Sequence, residues 1–230
     1  MASIDEHLEN IQKAIIKGDA KSSGPACQAA LDDGIDPLSI LNQGLMAGAD
    51  VVGKKFEQGV YFLPQLMLAG RALKAAMVVV EPVLKAHYAL AGTDSGDTGV
   101  VVIATVQTDI HDIGKNIVSS MLTASGFEVH DLGVDVQIKA IIAKAQEVNA
   151  NIIACSALLT TSMPFMRDLI NLLDAMGERQ RFKVIVGGAS VNPDFAARIH
   201  SDGTAPNAVQ AVQLAQRLIR EQRLEKEGQP

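Results

Sequence analysis

Apolar residues recur three or four positions apart at the start of the chain, at Ile4, Leu8, Ile11 and Ile15, and this spacing predicts a helix with one buried stripe. Ser3 with Glu6 offers a capping box before it, and Gly18 closes it. A second, short helix is expected from about Gly24 to Asp32, then a turn at Asp33-Gly34. Pro37 opens a third helix that continues to about Phe56, and Gly59 breaks the pattern. From Pro64 a run rich in Leu, Ala and Met reads as a long helix that Pro82 should kink or end. Four helices with short joins predict a helical bundle over residues 1–91.

The pattern then changes. GTDSGDTG, starting at Gly92, has almost nothing to bury and reads as a linker over 92–98. Beyond it, short apolar runs alternate with amphipathic segments of helical length: VVVIATV, FEVHDLGV, NIIACSAL and FKVIVGGA. This predicts α/β architecture over 99–230, a flavodoxin-like, doubly wound parallel sheet with helices on both faces. A fifth strand is expected near Asp202–Ala205, and a final helix from about Asn207 to Glu225.

Composition narrows the function classes. The net charge of −6 is spread along the chain without a basic stripe, which argues against nucleic acid as a partner. The N-terminus has neither a basic nor an apolar leader segment, and no apolar run is long enough to cross a membrane, so a cytoplasmic protein without membrane contact is expected. Cys27 and Cys155 are far apart in sequence and read as reduced thiols.

In open α/β sheets ligands bind beyond the carboxyl ends of the strands, at the point where strand order reverses. Three such loops are unusual here: QTDIHDIGKNIV after the first strand, SALLTTSMP after the third and GGAS after the fourth. Asp109 stands two residues before His111, and a carboxylate bonded to one imidazole nitrogen leaves the other free as base or metal ligand. On that spacing alone, a helix cap or a solvated loop histidine is an equal alternative. Zinc needs three or four ligands, yet the five histidines, at 7, 87, 111, 130 and 200, are scattered, with no HExxH and no CxxC. A single histidine fits better a metal that arrives in its own macrocycle. No GxGxxG, GxxxxGK[ST] or GxSxG is present, and the first strand ends in Ala104-Thr105-Val106 where a two-component receiver would carry acidic residues.

Asp109-x-His111-x-x-Gly114, then Ser156-x-Leu158, then Gly187-Gly188 together resemble the fingerprint of cobalamin-binding domains that hold the cofactor base-off with histidine on cobalt. VGKKFEQGVYFLPQ in the first half resembles the helical cap of methionine synthase and of the corrinoid proteins used in methylamine, methanol, betaine and aromatic O-demethylation. The chain is thus similar over nearly its whole length to the corrinoid proteins of methyltransferase systems.

The resemblance implies cobalamin, cycling through methylcobalamin, cob(I)alamin and cob(II)alamin, with His111 as cobalt ligand and Asp109 and Ser162 completing a hydrogen-bonded relay behind it. It implies that Thr108, Ile110 and Asp112 flank the ligand. Gly114 would let the nucleotide tail pass, Ser156, Leu158 and Thr160 would line the slot for the displaced benzimidazole, and Gly187 and Gly188 would make room for the tail beside the fourth strand. Phe56 and Leu63 would cover the methyl-bearing face, although on pattern alone such residues are more often bundle core. Relatives often carry Gly-Ala-Asp-Gly-Tyr-Ala near the last strand; here the run is His200-Ser201-Asp202-Gly203-Thr204-Ala205, so Thr204 and Ala205 would meet the tail without the tyrosine.

The implied function is that of a methyl carrier that catalyses neither half-reaction alone. Its partners would be a substrate-specific corrinoid methyltransferase, a second methyltransferase acting on tetrahydrofolate or a thiol, and a reductive activase. A cobalamin-dependent regulator and the small subunit of an adenosylcobalamin mutase are the alternatives.

Overall fold

The computed structural model describes residues 3–90 and 97–227. They fall into two compact units, Met1–His87 and Tyr88–Pro230.

In the first unit, α1 (Ile4–Lys17) starts where Ser3 Oγ accepts the Glu6 amide at 3.2 Å and stops at Gly18, whose φ is +69°. Its stripe of Leu8, Ile11, Ala14 and Ile15 is buried. Helix α2 (Ala20–Asp32) begins earlier than the pattern indicates, because Asp19 Oδ1 accepts the Lys21 and Ser22 amides and caps it; Gly24 and Pro25 lie inside. The third helical segment is continuous but not uniform. Asp36 caps a single α-turn, α3 (Pro37–Ser39), which widens into a π-helical stretch, Ile40–Met46, before α4 (Ala47–Glu57).

Close approach explains two glycines of that segment. A Cβ on Gly44 would lie 3.0 Å from Ile11 Cγ2, and one on Gly48 would lie 3.0 Å from Ile15 Cβ, so the buried stripe of α1 rests on both. Helix α5 (Leu63–Leu90) runs through Pro82 rather than ending there. The helix around Pro82 is exposed, with Val78 and Val83 outward, so water is at hand for the carbonyl that a proline leaves unpaired. Buried Ser23 donates from its hydroxyl to the Ala72 carbonyl at 2.8 Å and ties α2 to α5.

The second unit is a four-stranded parallel sheet in the order β2-β1-β3-β4. Its strands are β1 (Val100–Thr105), β2 (Glu128–Asp131), β3 (Ile152–Ser156) and β4 (Lys183–Gly187). The register aligns Val102, Ile153 and Val184 in one row and Ala104, Cys155 and Val186 in another. Both rows belong to one apolar core with Ile141, Ile142 and Ala145 of α7 (Ile138–Glu147) and Met166, Leu169, Ile170 and Leu173 of α8 (Pro164–Ala175). Strand residues alternate in direction, so Val101, Ile103, Thr105, Ser156 and Gly187 face the opposite side, where α6 (Ile113–Ala124) packs on β1 and β2 and against α10 (Ala208–Glu227). A short α9 (Pro193–Arg198) follows β4.

One expectation is corrected. The Asp202–Ala205 segment is not a strand: it makes one isolated parallel bridge, Ile185 to Gly203. At Gly203 φ is +155° and a Cβ would meet Leu214 at 3.0 Å. Most of the expected linker, residues 92–96, lies outside the described residues, but Asp97 and Thr98 belong to the second unit. Asp97 is buried and pairs with Arg220 at 2.7 Å and Arg223 at 3.5 Å on α10.

Candidate cofactor site

The chain leaves β1 through Val106 and turns at Thr108, whose φ of +69° is left-handed and costly for a β-branched residue. That turn places Asp109 wholly inside the protein, with no exposed surface, and His111 at the surface with its side chain 48% exposed. Asp109 Oδ1 accepts from the His111 amide at 3.0 Å and meets His111 Nδ1 at 2.7 Å. Asp109 Oδ2 accepts from the amides of Leu158 and Leu159 at 2.7 and 2.9 Å. The loops after β1 and β3 are therefore joined through one carboxylate.

Burial pushes the Asp109 carboxyl upward, but the amides of Leu159, His111 and Leu158 and the His111 ring together outweigh it and hold the group below its ordinary value. An ionised Asp109 can only accept, so Nδ1 of a neutral His111 must carry the proton. Nε2 is then left with its lone pair and no protein hydrogen bond among the described residues. The helix-capping alternative for His111 falls away, because its ring is engaged by Asp109.

Ser162 is buried, as expected of a relay member, but its hydroxyl lies 2.9 Å from Thr108 Oγ1 rather than on Asp109. Both Asp109 oxygens are already occupied by the loop amides and by His111, so the third contact is displaced by one residue along the loop. Thr105, buried beneath the loop, donates from Oγ1 to the His111 carbonyl at 3.0 Å.

The small residues divide into two kinds. Thr105, Ser156 and Gly187 share one row across the sheet on the α6 side. A Cβ on Gly187 would meet nothing within 4 Å, nor would one on Gly114 in the first turn of α6. Each glycine thus keeps open a space that a side chain would enter. Gly188 is different: at φ +124° its Cβ would lie 1.9 Å from the Ala157 carbonyl oxygen, so the lack of a side chain there lets it lie close against the backbone that follows β3.

Ile110, Asp112, Leu158 and Thr160 are all exposed around this end of the sheet; Asp112 stands at the start of α6 without a side-chain capping bond. Thr204 and Ala205 are half-buried after Gly203, whose carbonyl accepts the Val186 amide at 3.0 Å. Phe56 and Leu63 belong to the first unit, where they are 43% and 64% exposed; neither is bundle core. Sequence reasoning missed Thr105, the Leu159 amide, Asp135, and Ser190, whose hydroxyl reaches the Leu158 carbonyl at 2.5 Å.

These residues suit a cofactor that brings its own equatorial ligands. No group of three or more His, Cys, Asp or Glu that could hold a metal exists among the described residues, whereas one imidazole nitrogen is free and oriented, in the loop that leads from β1 to Gly114 of α6.

Comparison with known proteins agrees. A family model described as the B12 binding domain matches residues 99–213, and a second of the same description matches residues 7–81. The chain is 43% identical to dimethylamine corrinoid protein 2 of Methanosarcina acetivorans over 95% of its own length and 99% of the relative's. It is 40% identical to a corrinoid protein of Desulfitobacterium hafniense, covering 92% and 97% of the two chains. Among solved structures, the monomethylamine corrinoid protein of Methanosarcina barkeri superposes with a TM-score of 0.84 at 33% identity, over 94% of this chain and all of that one. With the fold and both halves accounted for, the chain belongs to the corrinoid proteins of methyltransferase systems, and cobalamin is its cofactor.

Proposed function

We propose that this protein is a methyl carrier that holds cobalamin through His111 and presents it in turn to a substrate-specific corrinoid methyltransferase and to a second methyltransferase. When bound, cobalamin supplies the cobalt centre that takes up and gives away the methyl group. The protein's own residues do the rest. Asp109 fixes the tautomer and direction of His111, Thr105 and the Leu158–Leu159 amides fix Asp109 and the loop, and Gly114, Ser156 and Gly187 keep a channel clear beside α6. Leu158 and Thr160 at the channel mouth, with Thr204 and Ala205, would contact the displaced nucleotide tail. The exposed Phe56 and Leu63 of the helical unit would shield the methyl-bearing face from water.

The observation that carries this reading is the 2.7 Å contact between a fully buried carboxylate and a half-exposed histidine ring. A methyltransferase partner has a precedent in a solved methanol:cobalamin methyltransferase complex from Methanosarcina barkeri. This chain matches one of its chains at 29% identity and a TM-score of 0.51. A reductive activase and a cytoplasmic location complete the proposal; two buried free thiols, Cys27 and Cys155, suit a reducing compartment. No helix among the described residues is long and apolar enough to cross a membrane. We also retain a helical cap over 1–91, a linker over 92–98 and a cobalamin-binding domain over 99–230; the ion pairs of Asp97 with Arg220 and Arg223 tie the end of that linker to α10.

Reconstitution tests the reading. After incubation with cobalamin under reducing conditions the protein should be coloured, with a base-off, histidine-on absorption spectrum, and the reduced form should react with methyl iodide. His111→Ala should lose the histidine coordination. A folded protein that stays colourless, or a His111→Ala variant with an unchanged spectrum, overturns it.

A further inference from the structure

Thr108 is a β-branched residue in the left-handed region, and the loop it opens cannot hold that conformation without restraint. The restraint comes from the turn between β2 and α7. Its backbone is sewn to the end of β1: Leu132 N–H donates to the Ile103 carbonyl at 2.9 Å, Thr105 N–H to Gly133 at 3.0 Å, and Val136 N–H to Thr105 at 3.1 Å. From this anchored position Asp135 grips the histidine loop on both sides of a peptide unit. Its Oδ1 accepts the Thr108 amide at 2.7 Å, and its own amide donates to the Asp109 carbonyl at 2.9 Å.

The other end of the turn is tied to the helix that follows His111. Buried Lys115, on α6, places Nζ 2.6 and 2.5 Å from the two carboxylate oxygens of Asp131, and Asp131 Oδ1 also accepts the Gly133 amide at 2.9 Å. The loop, α6, Lys115, Asp131, the turn and Asp135 form a closed circuit around His111, separate from the carboxylate that touches the imidazole.

We propose that Asp135 is a positioning residue for the cobalt ligand: by holding the Thr108 amide and the Asp109 carbonyl it sets how fully His111 is presented to bound cobalamin. The proposal rests on the assignment of His111 as ligand. It differs from a mere turn preference, which also favours Asp at positive φ (here +54°). Glycine adopts that φ more easily still but has no side-chain acceptor, whereas asparagine keeps both the conformation and an acceptor oxygen.

The test compares wild type, Asp135→Gly, Asp135→Asn and His111→Ala, each full-length, loaded with cobalamin and brought to the Co(II) form at one fixed pH. The readouts are the absorption spectrum and the nitrogen splitting from His111 in electron paramagnetic resonance. Asp135→Gly should lower the ratio of histidine-on to histidine-off protein by about tenfold, in line with loss of one charge-assisted hydrogen bond, and Asp135→Asn should restore most of it. Wild-type coordination in Asp135→Gly overturns the inference and leaves His111 as ligand. Loss of coordination in a folded Asp135→Asn also overturns it, which keeps the test decisive if the glycine variant does not fold. A wild type indistinguishable from His111→Ala would remove the ligand assignment itself, and this inference with it.

Discussion

Replacing Asp109 with asparagine changes few atoms and should cost several hydrogen bonds. In the wild type each carboxylate oxygen serves two donors: Oδ1 takes the His111 amide and Nδ1, and Oδ2 takes the Leu158 and Leu159 amides. Asparagine has one oxygen and one NH2: turned one way it faces the Leu158 and Leu159 amides with a donor, and turned the other it faces the His111 amide with one, whichever tautomer the ring takes. The residue is fully buried, so water cannot replace the lost acceptor. Unmet buried donors cost about 1–3 kcal/mol each, and with partial relaxation the loss should be about 2–4 kcal/mol for the cofactor-free chain.

The sign of the pH dependence follows from the depressed carboxyl. Asp109 titrates below its ordinary range in the folded protein, so its stabilising contribution is complete above the unfolded value of about 4 and disappears as pH falls through the lower folded value. The gap between wild type and Asp109→Asn should therefore be widest near neutral pH and close in acid. Thermal unfolding of the apo chain across pH 3–8 measures the gap, and hydrogen exchange at the Leu158 and Leu159 amides locates it. A variant within about 0.5 kcal/mol of wild type at pH 7, with those amides still protected, would refute the account of Asp109 as the joint between the two loops.

Adjacent glycines should respond in opposite ways. Gly188→Ala drives a Cβ into the Ala157 carbonyl at a φ of +124°, and should cost about 3–5 kcal/mol of apo stability or prevent folding, read as a lower melting temperature. Gly187→Val meets open space, so it should leave the apo melt within about 0.5 kcal/mol of wild type while weakening cobalamin binding in titrations followed by absorbance. Burial pushes both the Cys27 and Cys155 thiols up to about 12, so an aromatic disulfide reagent at pH 8 should label neither in the native protein and both after denaturation.

The parts legible in the sequence were those whose physics is local. Asp109 and His111 are two positions apart, and a carboxylate so near an imidazole has a specific chemical meaning, as the structure bears out. The stripe of α1 and the strands β1, β3 and β4 followed from apolar runs that are buried, and β2 from its place in the alternation of strands and helices. What escaped were contacts that carry no residue identity or span the fold. Leu158 and Leu159 serve through backbone amides, which any side chain would leave in place. Asp135 resembles an ordinary turn residue until the β2–α7 turn is seen against the end of β1. The start of α2 was placed too late, because the cap at Asp19, bonded to two amides and the Ser22 hydroxyl, lets the helix begin a turn before Gly24.

The bridge at Gly203 has a consequence beyond geometry. Parallel strands at a sheet margin present unpaired amides, which can recruit a strand from another molecule. On β4 those amides are spoken for: Val184 donates to the Asp202 carboxylate at 2.6 Å and Val186 to the Gly203 carbonyl, and Arg179 clamps Asp202 at 2.8 Å. At the far margin, β2 is only four residues long and carries Glu128 and His130, whose side chains pair at 2.8 Å. Margins so blunted give a stray strand little to zip onto.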